Sequence, residues 1–284
     1  MSDAASFESH RGFLVRLAYR MLGGLAEAED VVQDAFLRWD AVDRAAVVEP
    51  RAFLARTVSR LCLDRMKSAR ARREQYVGTW LPEPLVDPAV TGSAELAEDL
   101  SFALLMTLER LSPLERAAFL LHDVFDMDYG DIAGVLDRSE AACRQLAARG
   151  RDHIRDERPR FAASEDASAR LSDAFHTAML QGDVAALAQL LAEDAVFYSD
   201  GGGKKLAALN PIYGRDKIVR FMLGLAGKRG LPSAELITRT RINGNPGFLL
   251  HEGDGVSTVA LEVSGEHIVA IYAVRNPDKL RHLA

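Results

Sequence analysis

The sequence predicts a multidomain protein in which two all-α domains, the second with a helix-turn-helix, precede an α+β domain. Residues 7–76 and 93–160 repeat apolar side chains at the 3.6-residue spacing of amphipathic helices. Three prolines interrupt the residues between them, and beyond residue 165 alternating, β-branched runs typical of strands take over. A chain of 284 residues has room for two or three domains of about 100–200 residues each.

Composition favours a soluble protein of the reducing cytoplasm. The hydrophobic share is 48% and the charged share 27%, which is ordinary for globular proteins. No apolar run approaches the roughly 18–20 residues of a membrane span, and the N-terminal residues lack a signal-peptide pattern. Cys62 and Cys143 each fall inside a helical pattern without metal-site spacing, so we expect two core thiols, no metal and no cofactor.

The first domain is predicted to hold three helices. Apolar stripes run through residues 13–21, which end at Gly23, and through residues 31–39, which follow an acidic first turn. Pro50 opens the third stripe, because proline suits the first turn of a helix.

The second of these helices has two distinct faces. Val32, Phe36 and Trp39 recur at helical spacing and are expected in the core. The other face combines acid, amide and apolar side chains, a mixture that suits docking onto a basic helical partner: Asp30, Gln33, Asp34 and Leu37. The alternative is a solvated acidic face.

The third helix is strongly basic although the chain carries a net charge of −6. Between Arg51 and Arg73 there are eight basic residues and a single acid, Asp64. The local field rather than the total charge attracts phosphate, so this helix is a candidate DNA-binding surface. Its outer side carries Arg56, Arg60, Lys67 and Arg70. The alternative is a solvated basic face.

Residues 78–92, GTWLPEPLVDPAVTG, form a proline-interrupted linker that we expect to be extended. Trp80 and Leu81 are unusual there, because a purely flexible tether has no use for a large indole.

Residues 111–154 have the pattern of a helix-turn-helix. Apolar residues from Tyr129 to Leu136 mark a short helix, Asp137 and Arg138 form a tight turn, and Ser139 can cap the next helix. On that second helix Ala142 and Leu146 are predicted to point inward. Four side chains that match base edges or phosphates remain outside: Arg144, Gln145, Arg149 and Arg151. The alternative is a surface helical hairpin.

Two residues depart from the usual helix-turn-helix pattern. Asp137 stands where the turn commonly has glycine, and aspartate tolerates the left-handed conformation better than most residues. Gly150 interrupts the second helix, where it costs roughly 1 kcal/mol relative to alanine.

The C-terminal domain, from about residue 165, is predicted to be an antiparallel curved sheet with helices on one face. Two amphipathic helices, Leu171–Gln181 and Val184–Ala192, come first. The strand-like runs are Ala195–Tyr198, Glu235–Ile242, Gly247–His251, Val256–Val263 and His267–Val274.

The order of these motifs resembles a known family. EAEDVVQDAFLRW (27–39), FLARTVSRLCLDRMKSARARRE (53–74) and LSPLERAAFLL (111–121) with the helix-turn-helix resemble the extracytoplasmic-function sigma factors of bacterial RNA polymerase. WLPEP (80–84), DGGGK (200–204) and NPDKL (276–280) resemble the SigJ-type subgroup, which carries a fused SnoaL-like domain of the nuclear transport factor 2-like, cone-shaped fold.

The resemblance implies four parts: a region-2 domain (1–76), a linker (77–92), a region-4 domain (93–160) and a SnoaL-like regulatory domain (165–284). The protein would be a non-enzymatic initiation factor that binds core RNA polymerase at its clamp coiled coil and flap. Residues 30, 33, 34 and 37 would provide the clamp contact.

The resemblance also implies two promoter contacts. The basic helix would read and melt the −10 element, with a pocket for an unpaired base; its residues are Arg56, Arg60, Lys67, Ser68, Arg70 and Arg72. The helix-turn-helix would bind the −35 element through Ser139, Glu140, Arg144, Gln145 and Arg149.

Regulation would act in cis, with DGGGK and NPDKL contacting WLPEP and thereby setting the relative position of the two DNA-binding domains. The residues involved would be Trp80, Leu81, Pro82, Glu83, Pro84, Asp200, Gly201, Gly202, Gly203, Lys204, Asn276, Pro277, Asp278, Lys279 and Leu280. Trp80 would be an anchor, because large aromatics dominate small interfaces.

Two other functions remain open at this point. The resemblance also implies that the last domain could bind or convert a small apolar ligand, as some members of this fold do with an Asp or His base and a Tyr donor. The candidates are Asp200, Tyr198, His176, His251 and Tyr272, and the alternative, favoured for the histidines, is a structural role. The chain could instead be a repressor-type regulator with a ligand-sensing domain. DGGGK lacks the strand–loop–helix context of a phosphate-binding loop, which weighs against a nucleotide.

Overall fold

A computed structural model describes residues 3–43, 47–86, 100–157, 164–253 and 255–283. The chain forms two compact units, one from residues 1–75 and 103–158, the other from residues 76–102 and 159–284. The described part of the segment expected to be a linker, residues 77–86, therefore folds with the C-terminal domain. In the described parts of the chain, every helix is too short or too polar to cross a membrane.

Three helices build the N-terminal part of the first unit: α1 (Asp3–Leu22), α2 (Leu25–Asp40) and α3 (Pro50–Glu74). Their predicted apolar faces meet in one core, where Leu17, Val31, Trp39 and Val58 are almost completely buried. Phe36, expected with them, is only half-buried and packs edge-on against Phe7.

The rest of the first unit comprises α4 (Phe102–Arg110), α5 (Pro113–Phe119), a π-helical turn (Leu120–Val124), α6 (Tyr129–Leu136) and α7 (Glu140–Glu157). Ser112 and Glu115 form a capping box at the start of α5. The predicted helix-turn-helix geometry is confirmed. Asp137 adopts the left-handed conformation (φ 54°), and the Ser139 hydroxyl accepts from Ala142 N at 3.3 Å.

The buried face of α7 differs from the prediction by one position. Cys143, Ala147 and Ile154 are buried, whereas Ala142 and Leu146 are only half-buried. Gly150 lies on the same buried face, where a Cβ atom would come within 2.9 Å of Phe119 Cβ and 3.3 Å of Glu115 O. The glycine that looked unfavourable in the sequence lets α5 cross α7 closely.

The second unit packs helices against one six-stranded sheet, as expected. The helices are α8 (Glu165–Gln181), α9 (Val184–Leu190) and α10 (Arg215–Arg229). The strands are β1 (Leu191–Asp200), β2 (Ile212–Tyr213), β3 (Ile237–Ile242), β4 (Asn245–Glu252), β5 (Gly255–Ser264) and β6 (His267–Val274). Their order is β2-β1-β6-β5-β4-β3.

Two elements of this unit escaped prediction. Helix α10 did so because Gly224 and Gly227 dilute its apolar pattern, and β2 did so because it has only two residues. The sheet is also not wholly antiparallel, since the neighbouring strands β1 and β6 run parallel.

The two faces of β1 and β6 have different neighbours. Phe197 pairs with Ile271, and Ser199 with Ala273, and all four side chains line an interior cavity. Tyr198 and Tyr272 pair on the opposite face, where their rings stack at 5.3 Å. Because side chains alternate along a strand, Asp200 lies on the Tyr198 face. Consecutive residues of β1 thus belong to two different sites.

Candidate functional site

The linker segment, residues 76–86, is held by the C-terminal domain at Asp200. This carboxylate is fully buried. Its Oδ1 accepts from the Tyr76 hydroxyl at 2.6 Å, and its Oδ2 accepts from Leu81 N at 2.9 Å. One side chain therefore fixes two points of the segment. Burial and the hydrogen bond to Asp200 raise the pKa of Tyr76 above its usual range, so the phenol remains a donor.

Lys279 completes the charge balance at this site. Its Nζ donates to Asp200 Oδ2 at 2.7 Å and also to the carbonyl of Leu81. The same ammonium lies 4.2 Å from the ring centroid of Trp80 and 5.0 Å from that of Tyr76. A cation between two aromatic faces gains electrostatic energy from both rings. Trp80 is therefore anchored by a cation–π contact.

Each glycine of DGGGK lies where a larger side chain would collide with or press on a neighbour, and at Gly202 that neighbour is Asn276. Its Nδ2 donates to the Tyr76 hydroxyl at 2.8 Å, and a Cβ atom on Gly202 would lie 2.3 Å from that nitrogen. Gly202 also has a φ of +60°, which favours glycine. A Cβ on Gly201 would collide with the carbonyl of Lys205 at 2.1 Å, and Gly203 packs against Val77.

The far end of the linker segment is bound by residues that the motifs did not identify. Leu85 N donates to Asn243 Oδ1 at 3.0 Å, and Asn243 N donates to Leu85 O at 2.8 Å. His282 lies between the Pro84 carbonyl (3.0 Å) and Glu83 Oε1 (3.2 Å). Asn243 has a positive φ of 52° in the turn between β3 and β4. In the sequence it therefore looks like an ordinary turn residue, and its contact with the linker segment is not evident. We call Asp200, Asn243, Asn276, Lys279 and His282 the linker clamp.

The charged side chains of Lys204 and Asp278 pair with each other rather than with the linker segment. Lys204 Nζ and Asp278 Oδ2 pair at 2.5 Å, and both side chains are about half exposed. Pro277 opens a short 3₁₀ turn and Leu280 is buried, as are Leu81, Pro82 and Pro84 of WLPEP. The structure thus brings all three motifs together.

The mixed face of α2 is largely exposed to solvent. Asp30 and Gln33 are exposed, and the exposed fraction of Leu37 is 61%. Asp34 is half-buried because Arg65 of α3 binds it at 2.9 Å while approaching Asp30 at 3.8 Å. Arg65 of α3 therefore holds the two aspartates of this face in place through ion pairs, a role that the sequence did not reveal.

The basic side chains of α3 have unequal surroundings. Arg60 donates to the carbonyls of Val135 (3.2 Å) and Gly134 (2.8 Å) at the C-terminus of α6, and Arg56 lies against Gly134. Lys67 is exposed and pairs with Asp64 at 2.9 Å on its own helix. The side chains of Ser68, Arg70 and Arg72 lie outside the described residues.

The outer face of α7 presents the predicted polar row. Ser139, Glu140 and Gln145 are exposed. The Arg144 side chain is 55% exposed, pairs with Glu140 at 2.7 Å and covers the Tyr129 ring at 5.1 Å. Arg149 is 67% exposed and lies 4.0 Å from Glu115, whereas Arg151 binds Asp123 at 3.1 Å.

Within the first unit, α1 and α3 pack against α5 and α6. Arg116 of α5 is 2% exposed, and its Nη1 donates to Met21 O at 2.7 Å and to Glu109 Oε1 at 2.6 Å. Burial lowers the pKa of Arg116 to about 9, which leaves it charged at neutral pH. Phe13 and Phe125 meet edge to face at 5.0 Å. We call these contacts, together with those of Arg56 and Arg60, the helical clasp.

The second unit contains a cavity of about 780 Å³. Of the five residues considered for catalysis, only His251 lines it. Tyr198, Asp200 and Tyr272 belong to the opposite sheet face, and His176 stacks on Phe248 and contacts Arg239 at 3.0 Å. Among the described residues, the cavity therefore does not bring together a base and a donor from this set.

Comparison with known proteins agrees with this architecture. Residues 6–72 match the family model for sigma-70 region 2, and residues 101–154 match that for sigma-70, region 4. The chain is 39% identical to the ECF RNA polymerase sigma factor SigJ of Mycobacterium tuberculosis, over 98% of this chain and 93% of that protein. It is 40% identical to the probable ECF RNA polymerase sigma factor SigI of the same species, over 66% of each.

A crystal structure of the M. tuberculosis extracytoplasmic function sigma factor SigJ superposes on this chain with a TM-score of 0.83 at 36% identity, and covers 98% of both chains. Both helical regions, the C-terminal sheet domain and their order are shared across nearly the full length. The chain therefore belongs to the extracytoplasmic-function sigma factors of RNA polymerase, in the SigJ-type subgroup, and acts in transcription initiation by binding polymerase and promoter DNA rather than by catalysis.

Proposed function

We propose that the C-terminal domain controls this sigma factor in cis by holding the segment between its two DNA-binding regions. The observation that carries the proposal is Asp200, a buried carboxylate that accepts hydrogen bonds from Leu81 of that segment and from Tyr76, the residue directly before it. The proposal divides the chain into region 2 (1–76), linker (77–92), region 4 (93–160) and regulatory domain (165–284).

The polymerase contact in this proposal is the exposed face of α2, docked on the clamp coiled coil, while region 4 meets the flap. Gln33 and Leu37 are the best probes, because both are exposed. Asp30 and Asp34 are less suitable, because they also form ion pairs with Arg65 within the domain. Leu37→Glu with Gln33→Ala is expected to abolish capture of core polymerase while the helical content stays unchanged. Glu8→Ala on the exposed surface of α1 is the control.

For promoter DNA we assign α3 to the −10 element and α7 to the −35 element. Arg144 and Arg149 are more than half exposed at the side-chain level and Gln145 is exposed, so all three can approach a major groove. Arg144 would exchange its bond with Glu140 for base or phosphate contacts. Each bidentate arginine contact contributes about 1–3 kcal/mol of discrimination between bases.

The distance between the two promoter elements bears on the helical clasp. They lie about 25 base pairs apart, or roughly 85 Å of duplex at about 3.4 Å per base pair. Arg60 of the −10 helix, however, lies 2.8 Å from the carbonyl of Gly134 in the helix-turn-helix. We infer that the helical clasp must open before both elements are bound, and that the segment held by the linker clamp limits how far it opens.

Run-off transcription with core polymerase tests control in cis. Full-length protein, protein ending at residue 160, and full-length Trp80→Ala or Lys279→Met are compared on the same promoter. Control in cis requires that initiation change in the variants while polymerase capture persists. Wild-type output from every variant would contradict it.

A second candidate function is ligand binding by the C-terminal domain. The cavity of about 780 Å³ supports it, because ligand pockets span roughly 300–1,000 Å³ and are mostly apolar. Native mass spectrometry of the purified protein would detect a retained small molecule.

A further inference from the structure

Tyr129, the first residue of α6, packs against a second aromatic ring. Its ring centroid lies 4.0 Å from that of His122, and the two ring planes are inclined by 32°. His122 belongs to the π-helical turn, and its Nδ1 lies 3.0 Å from the carbonyl oxygen of Met127, which accepts the hydrogen bond. The ring contact and this hydrogen bond together hold the Tyr129 ring at a defined place at the start of α6.

Two arginines of α7 reach the Tyr129 side chain. The guanidinium carbon of Arg144 lies 5.1 Å from the centroid of the ring, and Arg151 Nη2 donates to the hydroxyl at 3.4 Å. Arg151 is held in turn by Asp123, which accepts from its Nη1 at 3.1 Å. The two arginines are seven residues, or about two helical turns, apart, so they lie on one side of α7. One tyrosine therefore contacts α7 at two points along its length.

Arg144 has two partners that differ in what they require of it. Glu140, one turn earlier on α7, accepts from Arg144 Nη2 at 2.7 Å and so occupies an N–H donor. A cation–π contact needs no acceptor atom, and a guanidinium has five N–H donors. Arg144 can therefore stay against the Tyr129 ring while it donates to a base or a phosphate. Its bond with Glu140 has to be exchanged on DNA, but its contact with the ring does not.

A ring contact that survives DNA binding improves recognition in two ways. An exposed arginine side chain populates many rotamers and loses this freedom when it contacts a partner. A ring that already restricts the side chain removes part of this loss before binding, so affinity rises through preorganisation. The ring also fixes the position of the guanidinium, so that particular base edges fall within its reach.

We propose that Tyr129 is a positioning residue for promoter recognition: its ring holds the Arg144 guanidinium at the place from which it contacts the −35 element. The ring acts through Arg144 rather than through a DNA contact of its own, and His122 supports the ring. This inference rests on the proposed contact of Arg144 with the −35 element.

The test uses holoenzyme formed from the full-length chain and core polymerase, with promoter duplexes in which each −35 base pair is changed in turn. Tyr129→Leu removes the ring and should lower promoter affinity roughly two- to fivefold, the range expected for a cation–π contact at an exposed site. The lost preference should be confined to the base pairs at which Arg144→Ala also loses preference. A uniform loss over the whole element, or a gain in affinity, would overturn the proposal.

Tyr129→Phe separates the ring from the hydroxyl, because it removes only the oxygen that accepts from Arg151. This variant should retain the base-pair preference that Tyr129→Leu loses. If Tyr129→Phe behaves like Tyr129→Leu, the hydroxyl rather than the ring is responsible and the proposal fails. Tyr213→Leu, at an exposed tyrosine of β2, is the matched control and should leave promoter affinity unchanged.

A double-mutant cycle distinguishes failure of this inference from failure of the proposed Arg144 contact. In an Arg144→Ala background, Tyr129→Leu should cost no further affinity, because the tyrosine acts through the arginine. Equal losses in both backgrounds would reject the positioning role. If Arg144→Ala itself leaves affinity unchanged, the −35 contact of Arg144 fails and the inference fails with it. A weakened Arg144→Ala beside an unaffected Tyr129→Leu rejects the positioning role alone. Tyr129→Met takes the place of Tyr129→Leu in the cycle should the latter not fold.

Discussion

Lys279 and Asp200 form an ion pair in which the carboxylate is completely buried and the ammonium side chain is 13% exposed. A second lysine–aspartate pair, Lys204 with Asp278, lies in the same two motifs but is 54% and 42% exposed. The hydrogen bonds of Lys204 and Arg281 hold the pKa of Asp278 below its usual value. The two lysine–aspartate pairs therefore differ in burial, and Lys279 in addition contacts the Leu81 carbonyl and the rings of Trp80 and Tyr76.

Lys279→Met should destabilise the C-terminal domain by about 3 kcal/mol, because removing one partner leaves a buried charge uncompensated. Lys204→Met should cost less than about 1 kcal/mol, since exposed pairs contribute little. Chemical unfolding followed by Trp80 fluorescence in a Trp39→Phe background measures both variants. Equal losses would show that burial does not govern the strength of these pairs.

Glu262 should give the C-terminal domain a distinctive pH dependence. It is 8% exposed, and burial raises the pKa of its carboxyl although Asn245 donates to it at 2.9 Å. The folded state therefore holds the proton more tightly than the unfolded chain, whose glutamate pKa is about 4.3. This contribution to stability is fully present below that value and is lost as the pH rises through the raised pKa.

Glu262→Gln should consequently raise the unfolding midpoint at pH 7.5 and leave it nearly unchanged at pH 4, because the amide oxygen still accepts from Asn245 without a charge to bury. Glu266→Gln, at an exposed pair with Arg170, is the control and should show no such gain. Calorimetry at the two pH values measures the difference. A gain of the same size at both would contradict a protonation origin.

Gly150→Ala should destabilise the helical unit by about 1–3 kcal/mol, because an added methyl group overpacks a tight crossing. The contact of 2.9 Å with Phe119 Cβ outweighs the gain in helix propensity of roughly 1 kcal/mol. Gly224→Ala in α10 should instead be stabilising, since nothing lies within 4 Å of its Cβ position. Thermal unfolding by circular dichroism compares them, and a stabilised Gly150→Ala protein would refute the close crossing.

Local pattern was enough to predict the helices of the first unit, the capping by Ser139 and the left-handed turn at Asp137. Local pattern did not explain Gly150, because the need for glycine there comes from close packing against Phe119, which is distant in sequence. The same limit applies to the linker clamp. The motifs pointed to Asp200 and Lys279, but Asn243 and His282 became visible only once folding had brought residues some 158 and 198 positions away against them. Arg60, predicted to face DNA, also donates to the carbonyls of Val135 and Gly134, a tertiary contact that the local pattern does not reveal.

The contact of Arg60 with the C-terminus of α6 should restrain opening of the helical clasp. Arg60→Ala removes two hydrogen bonds to the C-terminal carbonyls of α6. It should weaken the helical clasp by about 1 kcal/mol, which is roughly a fivefold shift towards the open form. Without DNA present, core polymerase should therefore bind the variant faster by up to that factor. Lys67→Ala is the matched control, because Lys67 bonds Asp64 on its own helix. Stopped-flow association with labelled polymerase measures both rates. If Arg60→Ala binds no faster than Lys67→Ala, the contact between α3 and α6 does not restrain the sigma factor.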